Sequence, residues 1–225
     1  MKLIWYLGIS DRLYLSVNIG KPIPLICMIL FILRQNIAMS SHHIVREKQE
    51  PALYIQNLGN FNEEYLGQLL EWSPTLIVNE GNYEKVISLG LKVDVVINSS
   101  ADAVFQENTR IVKGVDDNLH AVLNYLVTEK YPAVNIITAD AKLMDLTAYL
   151  GDIDIVLFTE TEKKYAIKSG FSVWKPKGSI FKIEIISYFE TSNLKQEENG
   201  DFMVINDGFV TFNFTTAYLF ISEVL

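Results

Sequence analysis

Residues 76–97 read LIVNEGNYEKVISLGLKVDVVI, and the fold class turns on this stretch. Leu76, Ile77 and Val78 form a continuous apolar run of the kind buried on both faces of a parallel sheet. Tyr83, Val86 and Ile87 then recur at helical spacing, and Gly90 supplies the residue that closes a helix. Val93 to Ile97 is β-branched at every position but Asp94, so the segment predicts strand, helix, strand. Strands joined through a helix are the unit of parallel sheets.

The same alternation extends in both directions. On the N-terminal side, Ala52 to Ile55 is a short apolar run. Asn62-Glu63-Glu64 then gives a helix cap with acid in the first turn, Leu66, Leu69 and Leu70 give its apolar stripe, and Ser73-Pro74 ends it. On the C-terminal side, Ile111-Val112 reads as a strand. Asp116-Asp117 opens a helix with Leu119, Val122, Leu123 and Leu126 on one face, and Val134 to Ile137 is the next strand. Leu143 to Leu150 reads as a helix and Ile153 to Phe158 as a strand. Residues 39–158 are therefore expected to form a mostly parallel, Rossmann-like α/β sheet with flanking helices, a nucleotide-binding type of architecture.

Near Thr159 the pattern changes. Tyr165 to Ile167, Ser179 to Tyr188, Phe202 to Ile205, Phe209 to Phe214 and Leu219 to Ile221 are strand-like, with turn chemistry at Lys168-Ser169-Gly170, Lys177-Gly178, Asn199-Gly200 and Asp207-Gly208. Several short strands without a helix predict a small antiparallel β-sandwich over 159–225.

Composition narrows the function classes. The chain has 225 residues, 49% of them hydrophobic, with 19 basic against 27 acidic residues. A net charge of −8 disfavours nucleic-acid partners, whose binding rests on phosphate neutralisation. One cysteine, Cys27, makes no disulfide framework and fits a reducing, cytoplasmic setting. Residues 1–38 differ from the rest: Lys2, Arg12, Lys21 and Arg34 face only Asp11. Their apolar run, Leu25 to Leu33, is far shorter than the roughly 20 residues of a membrane-spanning helix. An extension ahead of a natural start at Met39 and a signal-like or anchor segment both fit it. His42 and His43 have no third ligand at metal spacing, so they read as solvated.

No dinucleotide glycine fingerprint, phosphate loop, GxSxG or HExxH is present, and three histidines with one cysteine exclude most metal and nucleophile sites. Carboxylates remain: Glu80, Asp94, Asp102, Asp116, Asp117, Asp140 and Asp145 fall at predicted strand ends or helix starts. Open α/β sheets bind ligands beyond the carboxyl ends of their strands, where Glu80 and Asp102 could share a crevice and hold Mg²⁺ against a polyphosphate. From the residues alone, Asp116 and Asp117 better suit a structural role, as negative charges at a helix N-terminus. His120 lies off its helix's apolar stripe, on an expected solvated face. Trp174 is expected in the core or an interface, with stacking against a flat heterocycle as the functional alternative.

An α/β sheet followed by a small sandwich resembles thiamine pyrophosphokinase from about Ala52 onward. Residues 76–97 resemble that family's strand, DGG, helix, LGxKPD, strand pattern, with Leu89, Gly90, Lys92 and Asp94 matching. Lys113 to Tyr125 resembles its KDxTDxxxAL helix start, with Asp117 on the second Asp. The resemblance implies pyrophosphoryl transfer from ATP to thiamine with Mg²⁺, in a homodimer whose sandwiches help build the thiamine site. It assigns catalysis to Asp117 and Glu80, metal binding to Glu80, Asp102 and Asp117, nucleotide contacts to Asp102, Asp116 and Lys142, and thiamine contact to Trp174. The departures are also definite. DGG is Glu80-Gly81-Asn82, GDxDS is Asn98-Ser99-Ser100-Ala101-Asp102, and GGRxDH is Asp140-Ala141-Lys142-Leu143-Met144-Asp145. Two readings follow, a divergent kinase and a catalytically silent ligand-binding or structural dimer.

Overall fold

The computed structural model describes residues 50–97, 104–113, 118–139, 142–185 and 187–225. The expectations for residues 1–38, Met39, His42, His43, Asp102, Asp116, Asp117 and Asp140 lie outside these residues.

Strand β1 (Ala52–Ile55) is apolar at every position and completely buried. It is hydrogen-bonded in parallel to β2 (Leu76–Asn79) on one side and β5 (Ala133–Ile137) on the other. Beyond β2 lie β3 (Val95–Ile97) and β4 (Arg110–Val112), and beyond β5 lies β6 (Asp154–Phe158), all parallel. Because side chains alternate along a strand, β1 feeds two cores. Leu53 and Ile55 pack with Leu76, Val78 and Val96 under helices α1 (Glu63–Leu70) and α2 (Glu80–Ser88). Ala52 and Tyr54 pack with Ile77, Val95 and Ile136 under α3 (Asn118–Thr128).

The local signals place these helices as expected. Asn62 caps α1, its Oδ1 accepting from the N–H groups of Glu64 at 2.8 Å and Tyr65 at 3.3 Å. Gly90 follows α2 with φ of +77°, a conformation that favours glycine. Leu119, Val122, Leu123 and Leu126 of α3 are all buried. The segment expected as a helix over 143–150 is instead a 3₁₀ helix, Leu143–Tyr149. Its buried residues, Leu143 and Leu146, are three apart, the spacing that eclipses in a three-residue turn.

The C-terminal strands also depart from a free-standing sandwich. Strand β7 (Glu162–Ile167) pairs antiparallel with β6, so the large sheet continues without a break through β14 (Leu219–Val224), β9 (Ile180–Glu184), β12 (Phe202–Val204) and β11 (Leu194–Gln196). Three other strands, β8 (Phe171–Lys175), β13 (Gly208–Phe214) and β10 (Phe189–Thr191), form the facing layer. Between the layers lie Ile167, Phe181, Val204, Val210, Phe212 and Ile221. The rings of Phe181 and Phe212 meet edge to face at 5.8 Å. Strands β8, β10 and β11 were not among those expected from sequence, and the strand expected over Ser179 to Tyr188 is the shorter β9.

One ion pair bridges the two layers. Glu223 of β14 accepts a hydrogen bond from the Tyr165 hydroxyl and one at 2.5 Å from Lys175 Nζ, with the two charged side chains 14% and 22% exposed. Burial pushes the Glu223 carboxyl up, but the hydrogen bonds from Lys175 and Tyr165 and the charges of Lys163 and Lys175 outweigh it, leaving its pKa below the ordinary 4.5. Burial, with the bond to Glu223, raises the Tyr165 phenol. A carboxyl depressed in the folded state stabilises fully above its unfolded pKa, and that contribution is lost as pH falls through the folded value. Glu223→Gln is therefore expected to cost about 2 kcal/mol at pH 7 by urea denaturation. The deficit should shrink below pH 4.5, where wild-type Glu223 also loses its charge. Phe181→Ala should cost about 3–4 kcal/mol at either pH, since it leaves a cavity between the layers.

Candidate functional site

The chain runs from β1 outward through β2, β3 and β4, then returns to place β5 and β6 on the other side of β1. At such a reversal the loops after adjacent strands diverge and leave a crevice at the carboxyl edge. Here the crevice is bordered by Gln56–Asn60 after β1, Asn79 at the end of β2, Glu80 directly after it, and Thr138 after β5.

Amides dominate the groups that shape it. Gln56 N–H donates to the Ile137 carbonyl at 2.9 Å, closing the β1–β5 seam. The main-chain carbonyl of Gln56 accepts from Asn79 Nδ2 at 3.0 Å and Asn82 Nδ2 at 2.6 Å. Asn79 caps α2, its Oδ1 accepting from Asn82 N at 2.9 Å and Asn82 Nδ2 at 2.7 Å. Two further contacts hold the β1 loop: Lys85 Nζ donates to the Gly59 carbonyl at 2.9 Å, and Glu160 Oε1 accepts from Asn60 N–H at 2.8 Å. Gln56 Oε1 is buried with no hydrogen-bond partner among the described groups. A lone buried acceptor is costly, so it favours any ligand that brings a donor.

Glu80 is the first residue of α2 and half-buried, at the carboxyl end of β2 as expected, where its charge faces the positive helix end. Lys142 follows β5 as the cap position of the 3₁₀ helix, exposed and without a side-chain capping bond. Asp145, in the first turn of that helix, is exposed.

Asp94 lies at the opposite, amino edge. Its Oδ2 accepts from Leu76 N–H at 3.0 Å, its Oδ1 pairs with Lys92 at 3.0 Å, and its carbonyl accepts from Arg110 N–H at 2.8 Å. It pins the starts of β2, β3 and β4, so two residues that match the family motif, Lys92 and Asp94, are explained by packing. His120 is half-buried rather than solvated, its Nδ1 3.2 Å from the Tyr149 hydroxyl.

Trp174 is neither core nor at the carboxyl edge. On β8, Phe171 and Val173 turn inward and Trp174 outward, where it is 53% exposed opposite Phe209 of β13. The structure thus brings Glu80 to the crevice and leaves Trp174 on the outer face of the three-stranded sheet.

These donors do not make a magnesium site on their own. Mg²⁺ prefers carboxylate and phosphate oxygens, while the described groups here offer amides and Glu80, with Glu160 Oε1 already engaged by Asn60. No group of three metal-ligating acids, histidines or cysteines occurs among the described residues. None of their helices is long and apolar enough to cross a membrane.

Solved structures of thiamine pyrophosphokinases share this arrangement of an α/β sheet extended into a two-layer β unit. The Bacillus subtilis thiamine pyrophosphokinase structure superposes with a TM-score of 0.59 at 13% identity, covering 78% of this chain and 99% of that one. Thiamin pyrophosphokinase from Candida albicans gives 0.55 at 8% identity over 78% and 89%, and the yeast enzyme 0.51 at 10% over 80% and 88%. The chain therefore has the thiamine pyrophosphokinase-like fold. No family model matches it, and no curated protein matches it by sequence.

Gln56 escaped the sequence reading because an amide after a strand looks like any loop residue. Its signal is positional, a polar side chain directly following four buried apolar ones. If Asp94 is structural, Asp94→Asn should lower stability by about 1 kcal/mol in denaturant titration and leave ligand affinities unchanged.

Proposed function

We propose that this chain binds a small ligand of the thiamine or nucleotide class in the carboxyl-edge crevice, and that it has lost the pyrophosphoryl transfer of the proteins sharing its fold. The observation carrying this reading is the pair of side-chain amides of Asn79 and Asn82, hydrogen-bonded to each other and to the main-chain carbonyl of Gln56, where a phosphate-bound metal needs carboxylates. Phosphoryl transfer depends on positioning and charge neutralisation, which amides supply poorly. Ser99, Ser100 and Ala101 in the segment resembling GDxDS support the same conclusion. In this reading residues 39–158 hold the ligand, and residues 159–225 carry the Trp174 and Phe209 surface through which two copies form a homodimer.

Glu80 favours a second reading, since it stands at the carboxyl end of β2 on a helix N-terminus. There the chain is an active kinase taking ATP and thiamine. Glu80, Asp102 and Asp117 would hold Mg²⁺, with Asp116 and Lys142 beside the nucleotide and Trp174 stacked on the thiamine ring.

Calorimetric titration with thiamine, then with a non-hydrolysable ATP analogue and Mg²⁺, separates the readings. Saturable binding of either ligand without thiamine diphosphate formation is the expected outcome. Turnover that disappears in Asp117→Asn would establish the kinase instead, and silence from every ligand would refute both. Gln56→Leu is expected to raise the stability of the ligand-free protein by about 1 kcal/mol, since it removes a lone buried acceptor, and to weaken ligand binding by about tenfold. Trp174→Ala leaves affinity unchanged if Trp174 serves the dimer, and lowers it by about tenfold if it stacks on a cationic ring.

A further inference from the structure

Lysines gather where β7 begins. Residues 160–165 read ETEKKY, and the strand's alternation divides them between two faces. Glu162 and Lys164 share one face with Lys182, which donates to Glu162 at 2.5 Å while Lys164 lies at 3.4 Å. Two ammonium groups thus serve a single carboxylate. Lys163 and Tyr165 face the sandwich interior, where Lys163 pairs in register with Glu223 across to β14.

This inner group has unspent donors. Both Glu223 oxygens are engaged, one by the Tyr165 hydroxyl and one by Lys175. Lys163 Nζ sits 5.2 Å from the Tyr165 ring centroid, is half-buried, and forms no ion pair among the described residues. Lys163 and Lys175 both act electrostatically on Glu223, so two cations share one anion and the cluster is left with a net positive charge. Of six N–H donors on the two ammonium groups, one is spent on Glu223. The cluster adjoins the carboxyl edge, since Lys163 pairs with Phe158, the last residue of β6. A positive, donor-rich cluster in a chain of net charge −8 is a local reversal of sign.

We propose that Lys163 and Lys175 form an oxyanion site that takes a phosphate or diphosphate group without a metal ion. Glu223 and Tyr165 act as positioning groups that hold Lys175. A tetrahedral phosphate presents several acceptor oxygens, which two ammonium groups from facing layers satisfy as charge-assisted hydrogen bonds. The source of the group, a free anion or the phosphate of an organic ester, is left to the test. The site does not depend on the ligand proposed for the crevice.

The full chain is titrated with inorganic pyrophosphate, inorganic phosphate and a phosphate monoester, all in EDTA and at ionic strength matched with chloride. Saturable binding is expected, with the tightest probe identifying the source. Lys163→Met should weaken it by at least about tenfold, the loss of one charge-assisted contact, while Lys163→Arg keeps it within about threefold. Circular dichroism of both variants should match the parent, since residue 163 is half-buried on a strand start. Absence of saturable binding, or equal affinity in parent and Lys163→Met, overturns the proposal.

Discussion

The antiparallel pairing of β7 on β6 is the joint on which the rest of the chain depends. Val156, Leu157 and Phe158 register with Tyr165, Lys164 and Lys163, so a parallel α/β sheet is extended edgewise into one layer of a sandwich. Without that ladder β6 would be an exposed edge, a liability in any sheet. With it, β14 is hydrogen-bonded on both sides, and the three-stranded layer has a surface to cover. A one-residue slip would turn Ile167 out of the sandwich core and drive Lys164 inward, so the register is held by burial on two faces.

The legible parts of this fold were the local ones. Asn62 as a cap, Gly90 after α2 and the stripe of α3 could be read because their physics is contained within a few residues. The β6–β7 joint could not. Alternation in Lys163, Lys164 and Tyr165 says that two faces differ but does not say which strand pairs alongside. Strand β8 was hidden for a related reason: Phe171 and Trp174 are both large aromatics, yet one is turned to the core and the other to solvent. Leu143 to Leu150 looked helical because apolar residues three apart satisfy both an α-helix and a 3₁₀ turn.

The candidate site divides along the same line. Glu80 was legible because it directly follows an apolar strand. Asp94 was misleading: its motif match sits at the amino edge, where backbone N–H groups and Lys92 claim it. The crevice's own chemistry lies in groups with no sequence signature, because an amide that accepts from one neighbour and donates to another is defined by its partners. The main-chain carbonyl of Gln56 gathers the side chains of Asn79 and Asn82 from a segment more than twenty residues away.

Strand β14 sits between β7 and β9, and all of its inward side chains belong to the sandwich core or its ion pair. The interior of the sheet is thus completed by a segment that a ribosome makes after every strand it joins. Strands β7 and β9 must wait with open edges while the intervening chain is synthesised, a topology of long-range pairings that folds slowly. Nascent chains ending before Leu219 would leave the backbone edges of β7 and β9 unpaired and the sandwich core uncovered along that strip, which is where a holding chaperone would find its substrate.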